Sequence, residues 1–281
     1  MVPNLELFDE TLDINSTANY DLSLQVSPDS VSFCLLDILR NKFVLLRTFN
    51  SGDDKKLKAE QINEIISNDD FLGRSFRSVK IIMPSAKSTI VPASLYDPAH
   101  KDDYFLFNYM NDEGNIILNN KVTNPDSYIV FSVPKLIYDL INNKYPGANL
   151  MHHLKPLLVN APNNKAGITD KYIQLHVERE FFNLLIFKEK KLIFSNTFNY
   201  RNVSDIIYFV MYTFQNLNIK QEETLFLSGL TEHYDELFSN ITDYIRAVKF
   251  AEPCGSSTYS YVFNQIELQK FLNLFNATNC V

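Results

Sequence analysis

The sequence predicts a mixed α/β protein built from two similar halves, and three observations support that prediction. The chain has 281 residues, of which 46 % are hydrophobic and 21 % charged, as in proteins that bury a sizeable core. Short apolar runs of strand length alternate along it with amphipathic stretches of helical period. Residues 41–50 align with residues 190–199 without a gap, and an amphipathic helix is predicted after each segment. Because the two segments lie about half a chain apart, we infer an ancient duplication.

In the first half, residues 32–49 are predicted to form a β-hairpin whose turn lies at residues 37–42. Residues 57–66 place their apolar side chains on one face of a predicted helix. The elements between about residues 79 and 125 are interpreted as an inserted subdomain. The further elements predicted in this half are strands at 79–83, 88–91, 116–122 and 128–133 and helices at 98–110, 134–141 and 155–159.

The second half begins after a polar stretch with Pro and Gly, residues 160–167, which is the best candidate for a linker. We therefore expect two units, residues 1–165 and residues 166–281. The second unit is predicted to open with a three-stranded meander over residues 172–198 and a helix capped by Ser204. The remaining predictions are a strand at 225–227, a helix at 234–248, an extended segment at 250–253 and a closing helix at 265–275.

Composition and charge exclude several classes of protein. Lys and Arg number 26 against 33 Asp and Glu, and a net charge of −7 without a basic block argues against binding to nucleic acid. No apolar run approaches the about 20 residues of a membrane-spanning helix, and the acidic N-terminus does not resemble a signal peptide. Three widely spaced cysteines fit a reducing compartment, so we expect a cytoplasmic protein. The seven scattered glycines exclude a P-loop and a dinucleotide-binding fingerprint.

The order of elements, a hairpin, a third strand and a helix in each half, resembles the actin-like ATPase superfamily. The resemblance implies a duplicated, ribonuclease-H-like fold of two lobes with mixed sheets and flanking helices. Residues 192–198, 205–208 and 225–229 are similar to a bacterial family called domain of unknown function 3822. The inserted elements resemble the extra subdomain of the pilus-assembly and secretion relatives of actin. Those relatives serve largely as protein-binding platforms.

Active members of this superfamily hold the ATP phosphates between two hairpin turns, each with an Asp followed by Gly. The first turn region here, residues 37–42, keeps Asp37 but has no Gly, and the second has neither. The third nucleotide-binding element is reduced to Ser228-Gly229. The residues that the resemblance assigns to the cleft between the lobes are Asp37, Arg40, Asn41, Lys42, Glu178, Arg179, Glu180, Ser228 and Gly229.

These departures predict a degraded nucleotide site, because glycine lets backbone N–H groups approach phosphate oxygens and carboxylates repel them. We expect a non-catalytic binding or scaffolding module with no cofactor, no catalytic residue and a protein partner of unknown identity. One alternative is a divergent ATPase or small-molecule kinase that uses Asp37 with Lys42 or Arg179. A third hypothesis, by analogy with the pilus relatives, is a partner in an envelope or secretion assembly.

Other groups of reactive residues favour structural interpretations. His152 and His153 are adjacent rather than spaced for one helical face, and we interpret them as a surface or interface pair, not a metal site. His176 and Glu178 fall on one side of a strand and are interpreted as a salt bridge. Cys34 lies among apolar residues and is predicted to be in the core.

Overall fold

A computed structural model describes residues 1–52, 56–161 and 171–280. Over these residues the strands, numbered along the chain, are β1 (Leu5–Phe8), β2 (Tyr20–Val26), β3 (Ser30–Asp37), β4 (Lys42–Asn50), β5 (Ser78–Met83), β6 (Ser88–Pro92), β7 (Asn115–Val122), β8 (Ser127–Pro134), β9 (Asn149–His152), β10 (Lys171–Val177), β11 (Phe181–Lys188), β12 (Lys191–Asn199), β13 (Thr224–Gly229), β14 (Ala247–Phe250) and β15 (Thr258–Tyr259). The helices are α1 (Ala59–Asn68), α2 (Lys101–Leu106), α3 (Lys135–Lys144), α4 (Leu154–Asn160), α5 (Val203–Asn216), α6 (Glu236–Ile241) and α7 (Leu272–Asn276).

Two of the three sheets share one topology. The first sheet has the order β1-β4-β3-β2-β5-β9, with β15 also beside β4, and the second has the order β12-β11-β10-β13-β14. In each, three antiparallel strands form a meander (β2–β4 and β10–β12), and two parallel strands follow (β5 with β9, β13 with β14). Parallel neighbours need a crossover, which α1 and α5 provide. The structure therefore confirms the predicted duplicated α/β fold.

The third sheet, of order β6-β8-β7, lies in the chain between β5 and β9 of the first sheet. Residues 79–83, predicted to begin the insertion, instead form the central strand β5. The insertion therefore runs from about residue 88 to residue 134, later than the predicted range of about 79 to 125. We call the first sheet with its helices and this insertion the first lobe, and the second sheet with α5 and α6 the second lobe.

The first strand of the first-lobe meander, β2, lies outside the predicted hairpin. Residues 32–49 belong to β3 and β4, which do form a hairpin, but β2 precedes them and pairs with β3 over its whole length. The aligned segments, residues 41–50 and 190–199, correspond to β4 and β12, the third strand of each meander. The two halves are thus aligned in register. The first-lobe turn predicted to lie at the cleft, between β3 and β4, is however the next turn along the chain after the β2–β3 turn that lies there.

Several predicted helices are shorter in the structure. The helix predicted at 98–110 is a 3₁₀ turn followed by α2, and the helix predicted at 234–248 is α6 followed by β14. Its last residues are extended because they pair in parallel with β13. The closing helix predicted at 265–275 consists of 3₁₀ turns and the short α7.

The closing segment, predicted as part of the second lobe, packs on both lobes: Asn273 Nδ2 lies 3.1 Å from His176 Nε2 of the second lobe, and the segment also enters the core of the first lobe. β15 pairs with β4, and Phe263 and Phe275 are buried in a cluster with Phe43 of the first sheet. A first-lobe element likewise contacts the second lobe. Helix α4 follows the last strand of the first sheet, and its Leu154 lies in an apolar cluster with Leu185 of the second sheet. α4 and α7 also contact each other. The two lobes are therefore joined by elements that cross between them.

The predicted linker is described only in part. Asn160 and Ala161 are buried at the end of α4, and the predicted boundary between residues 165 and 166 lies outside the described residues. Among the described helices, none combines the length and the apolar composition that crossing a membrane requires.

Candidate functional site

Equivalent hairpin turns from the two lobes meet at the cleft between them. In the first lobe, Ser27 N–H donates to the Ser30 carbonyl (2.9 Å) across the turn that joins β2 to β3. In the second lobe, Glu178 N–H donates to the Phe181 carbonyl (2.9 Å) across the turn that joins β10 to β11. Each turn leaves two residues at its tip. Because the strands are topologically equivalent, the tip residues 28–29 correspond to residues 179–180.

Both turns line a cleft with a volume of about 560 Å³. Its other walls come from the inner face of the first sheet, from the end of β13 and from the closing segment. The wall residues used below are Gly229, Lys270 and Asn273. The cleft is thus positioned by the duplication itself, since each lobe supplies the same turn.

An ion pair connects the two turns directly. Arg179 Nη1 lies 2.8 Å from Asp29 Oδ2, and both side chains are only partly exposed. A second, more exposed pair joins Lys56 Nζ to Glu180 Oε2 at 3.4 Å. Within the cleft, Lys270 Nζ pairs with Glu232 Oε2 at 2.5 Å. Cations that could attract a phosphate therefore already have carboxylate partners.

Neither turn has the backbone of a phosphate-binding loop. Pro28, at the tip of the first turn, has no N–H to donate. Neither turn contains glycine, and no residue of either turn has a positive φ. Loops that surround phosphates need several N–H groups pointing one way and a backbone without side chains in between. Asp29, Glu178 and Glu180 add negative charge around the two turns.

Gly229 is required by the packing of strands. Its φ is +81°, and a Cβ atom there would lie 2.1 Å from the Val177 carbonyl oxygen. That same oxygen accepts a hydrogen bond of 2.8 Å from Leu230 N–H, which holds the chain end of β13 against β10. This close backbone contact explains the glycine without a ligand.

Ser228 is fully buried and lies in a polar network beneath the cleft. Its Oγ accepts from Gln174 Nε2 (2.9 Å) and lies 2.9 Å from His176 Nδ1. His176 Nε2 in turn lies 3.3 Å from Glu178 Oε1 and 3.1 Å from Asn273 Nδ2. The predicted His176–Glu178 contact is therefore confirmed. The order Ser, His, Glu matches that of a catalytic triad, but a serine with no exposed surface cannot reach a substrate.

His152 and His153 are both fully buried, so their predicted surface location is wrong, whereas an interface location is correct. His153 Nε2–H donates to Asn183 Oδ1 of the second sheet at 2.7 Å, and His152 Nε2–H donates to the Ser85 carbonyl at 3.0 Å. Burial lowers the pKa of both rings, that of His153 to about 4. Over the described residues, no three His, Cys, Asp or Glu side chains are arranged to hold a metal ion.

His153 predicts how stability depends on pH. The unfolded chain protonates this ring near pH 6.5 and the folded chain near pH 4, so between these values the unfolded state binds more protons. We expect the free energy of unfolding to fall as the pH is lowered through this window, by up to about 1.4 kcal/mol per pH unit from this group. His153→Gln keeps an N–H donor for Asn183 and removes the titration. Urea unfolding from pH 7 to 4 should give a flatter profile for the variant, and equal slopes would contradict the assignment.

Four of the residues assigned to the cleft lie elsewhere. Asp37 and Arg40 belong to the turn between β3 and β4, at the far end of β3 from the first-lobe cleft turn. β3 rises about 3.3 Å per residue, so its seven steps separate Asp37 from the cleft turn by roughly 23 Å. Asp37 Oδ1 accepts from Leu39 N–H (2.9 Å) and Arg40 N–H (3.2 Å), which makes it a turn cap.

The neighbours of Asp37 are also engaged in structural contacts. Lys42 Nζ pairs with Asp9 Oδ2 at 2.8 Å, and Asn41 Nδ2 donates to the Ser256 carbonyl at 3.1 Å. An ATPase that uses Asp37 with Arg179 would need both side chains in one cleft, which this geometry does not provide. Of the assigned residues, Glu178, Arg179 and Gly229 line the main cleft, Glu180 lies beside it, and Ser228 lies beneath it.

The first-lobe cleft turn, residues 27–30, was missed by sequence reasoning, although a signal was present. Residues 20–26 form a strand that the prediction omitted, and Ser27, Pro28 and Asp29 are typical turn residues between that strand and Val31. Taking residues 20–37 as a hairpin would have identified Asp29 as the counterpart of Glu180.

Comparison with solved structures shows the fold. A protein from Bacteroides thetaiotaomicron VPI-5482 with an actin-like ATPase fold and unknown function superposes with a TM-score of 0.77 and 22 % identity, over 86 % of this chain and 94 % of that chain. A chain of the PilM–PilN type IV pilus biogenesis complex superposes with a TM-score of 0.56 and 12 % identity, over 92 % of this chain and 98 % of that chain. The fold of the present chain is thus actin-like.

A comparison with curated protein sequences finds no relative of the chain. A family model does match it, over residues 9–248, which include both meanders and both cleft turns. The match agrees with the resemblance seen in residues 192–198, 205–208 and 225–229. The chain therefore belongs to the family described as protein of unknown function DUF3822.

Proposed function

We propose that this protein is a non-catalytic binding module whose interlobe cleft does not take a magnesium nucleotide. The observation that carries the proposal is the make-up of the two cleft turns, which lack glycine, place Pro28 and carboxylates at the cleft, and are joined by the Arg179–Asp29 ion pair of 2.8 Å. A triphosphate would have to separate this pair before it could contact either backbone.

The charges remaining around the pair oppose the exchange. Once Arg179 is displaced, Asp29 and Glu178 face the phosphates as negative charges, with Glu180, which pairs with Lys56 at 3.4 Å, beside them. At about 4 Å, each such like-charge contact costs about 1 kcal/mol in water and about 4 kcal/mol at the effective dielectric of a protein surface. Pro28 offers no hydrogen bond in compensation. We infer that the nucleotide gains too little from the cleft to bind or to be hydrolysed.

The binding role itself is supported by the fold and by its insertion. The PilM–PilN complex shows that a chain of this fold takes part in a protein assembly. The present chain has the inserted third sheet between β5 and β9, which adds Ile129, Phe131 and Val133 to the core of the first lobe and forms a small cluster of its own around Phe105 and Val130. We therefore propose a protein partner and, from the three widely spaced cysteines, a cytoplasmic location.

Calorimetric titration with Mg-ATP tests the proposal. We expect no saturable heat, corresponding to a Kd weaker than about 1 mM, for the wild type and also for Arg179→Ala. The variant matters because it removes the ion pair but leaves Pro28 and the three carboxylates. Saturable binding by the wild type that disappears with EDTA would contradict the proposal. Binding by Arg179→Ala alone would show that the ion pair, rather than the turn backbone, excludes the nucleotide.

A further inference from the structure

An apolar surface on the inserted subdomain is exposed to solvent. Leu106, Phe107 and Met110 have 52 %, 87 % and 85 % of their surface accessible. Phe107 N–H donates to the Asp103 carbonyl (2.9 Å) and Tyr109 N–H to the Phe105 carbonyl (3.0 Å), so helical geometry continues past the end of α2. Met110 follows three residues after Phe107 and four after Leu106, the spacings at which side chains on a helical segment are neighbours.

The segment that carries these side chains is held firmly from behind. Phe105 is fully buried, and its ring lies 5.4 Å from that of Tyr109. Lys101 Nζ donates to the Ile117 carbonyl at 2.6 Å, and Lys87 Nζ donates to the Met110 carbonyl at 3.2 Å. The exposure therefore belongs to an ordered surface. A partner that binds an ordered surface loses less conformational entropy than one that must order it.

The same surface is strongly acidic. Residues 93–114 contain five acidic side chains against one lysine, Lys101, and Lys87 pairs with Asp112 at 2.7 Å, so the surface carries a net charge of −3 with neutral histidine; the five are Asp97, Asp102, Asp103, Asp112 and Glu113. Asp102 and Asp103 are exposed and stand one helical turn before Leu106 and Phe107; Lys101 Nζ lies 3.6 Å from Asp102 and His100 Nδ1 lies 2.8 Å from Asp103. We call Leu106, Phe107 and Met110 with these two aspartates the acidic–apolar patch.

The charge of this patch decides between occupants. Anionic lipid and nucleic acid would be repelled by it. A second copy placed face to face would bring two surfaces of the same sign together. The occupant that complements both properties is a polypeptide segment with apolar side chains on one face and Lys or Arg beside them.

We propose that the acidic–apolar patch docks a cationic amphipathic segment of a partner protein. Phe107 and Met110 form the apolar contact, and Asp102 and Asp103 pair with the basic side chains at its edge. Central aromatic side chains commonly dominate such contacts, so Phe107 is expected to be the principal one. The inference rests on the proposed binding function. The two can be told apart, because titration with nucleotide tests the cleft and titration with peptide tests the patch.

Fluorescence anisotropy with a labelled synthetic helical peptide of leucine and lysine, leucines on one face, tests the docking. A matched leucine–glutamate peptide reports the charge requirement. The Phe107→Ser/Met110→Ser variant should lower affinity for the lysine peptide at least about tenfold, as loss of hot-spot side chains does. Asp102→Asn/Asp103→Asn should lower it less and weaken its salt dependence. Tyr234→Ser is the control, since Tyr234 is equally exposed, at 87 %, but lies on the second lobe.

Each remaining outcome overturns the inference. Equal binding by the Phe107→Ser/Met110→Ser variant would place the peptide elsewhere, as would a comparable loss in Tyr234→Ser. Equal affinity for the glutamate peptide would remove the charge argument. Sedimentation of the protein with phosphatidylserine vesicles, or a dimer in analytical ultracentrifugation that Phe107→Ser/Met110→Ser abolishes, would assign the surface to a membrane or to a second copy.

Discussion

Replacing Phe275 by alanine is expected to lower the free energy of unfolding by about 3–5 kcal/mol, the usual cost of removing a buried phenyl ring. Phe275 is 1 % exposed, and its ring lies 4.9 Å from Phe43 and 5.1 Å from Tyr259 in edge-to-face arrangements. The loss arises because the closing segment is part of the first lobe's core. Urea unfolding should show a lower midpoint with an unchanged m-value.

Controls separate this role from a general effect of truncating aromatic residues. Tyr234→Ala removes a ring that is 87 % exposed and should change stability by less than about 0.5 kcal/mol. Phe275→Leu keeps most of the apolar volume and should fold even where the alanine variant does not. In a double-mutant cycle with Phe43→Leu, Phe275→Leu should be non-additive, as expected for contacting rings. Additive effects would mean that the segment does not pack on the first sheet.

Gly229→Ala is expected to destabilise the protein by about 4 kcal/mol, the sum of a strained backbone and a forced displacement. The new Cβ would lie 2.1 Å from the Val177 carbonyl oxygen, a backbone atom held by its bond to Leu230 N–H. The Val177 carbonyl oxygen cannot move away from this Cβ without separating β10 from β13. Thermal or urea unfolding of the purified variant measures the loss.

Gly147→Ala is the matched control for that substitution. Gly147 has a φ of +78°, close to the +81° of Gly229, but nothing lies within 4 Å of its Cβ position. It should therefore lose only the about 1–2 kcal/mol that a left-handed conformation costs a residue with a side chain. Equal losses at the two positions would show that conformation alone, and not the contact between strands, requires Gly229.

The fold could be predicted largely because its signals are local. The meander β10–β12 has charged two-residue turns between apolar runs, and α5 begins at a capping pair, Asn202 with Asp205. Asn202, rather than the predicted Ser204, is the N-cap. The alignment of β4 with β12 succeeds because the two strands share apolar positions and similar polar ends, although β4 is largely buried and no residue of β12 is fully buried.

The errors have a common physical cause, which is that tertiary contacts override local pattern. Residues 247 and 248, predicted as the end of a helix, instead begin β14 and pair with β13. The histidines 152 and 153 read as polar, yet hydrogen bonds to Asn183 and Ser85 allow their burial. Nothing local indicates that residues 258–279 return to the first lobe, because that depends on the shape of its exposed face.

The sequence analysis predicted the wall of the cleft that the second lobe provides, but not the wall that the first lobe provides. Glu178, Arg179 and Gly229, which the sequence assigns to the cleft, line it in the structure, and the second meander that carries them is recognisable from its first strand. The opposite wall is missing from the prediction because the corresponding strand is β2. Asp21 and Ser23 make the sequence of β2 look polar, although nearly every residue of the strand is buried. Asp29 lies on this missing wall and pairs with Arg179 of the second turn. The cleft, predicted to be only repulsive to phosphate, therefore also contains an ion pair that joins the lobes.

A crystal structure determined after soaking with excess Mg-ATP tests the central claim most directly, because it reports the turns and the cleft together. We predict that Arg179 and Asp29 remain paired and that no triphosphate density lies between residues 27–30 and residues 178–181. Ordered phosphates bridging those turns, with the ion pair opened and a magnesium ion beside Asp29, would contradict the account.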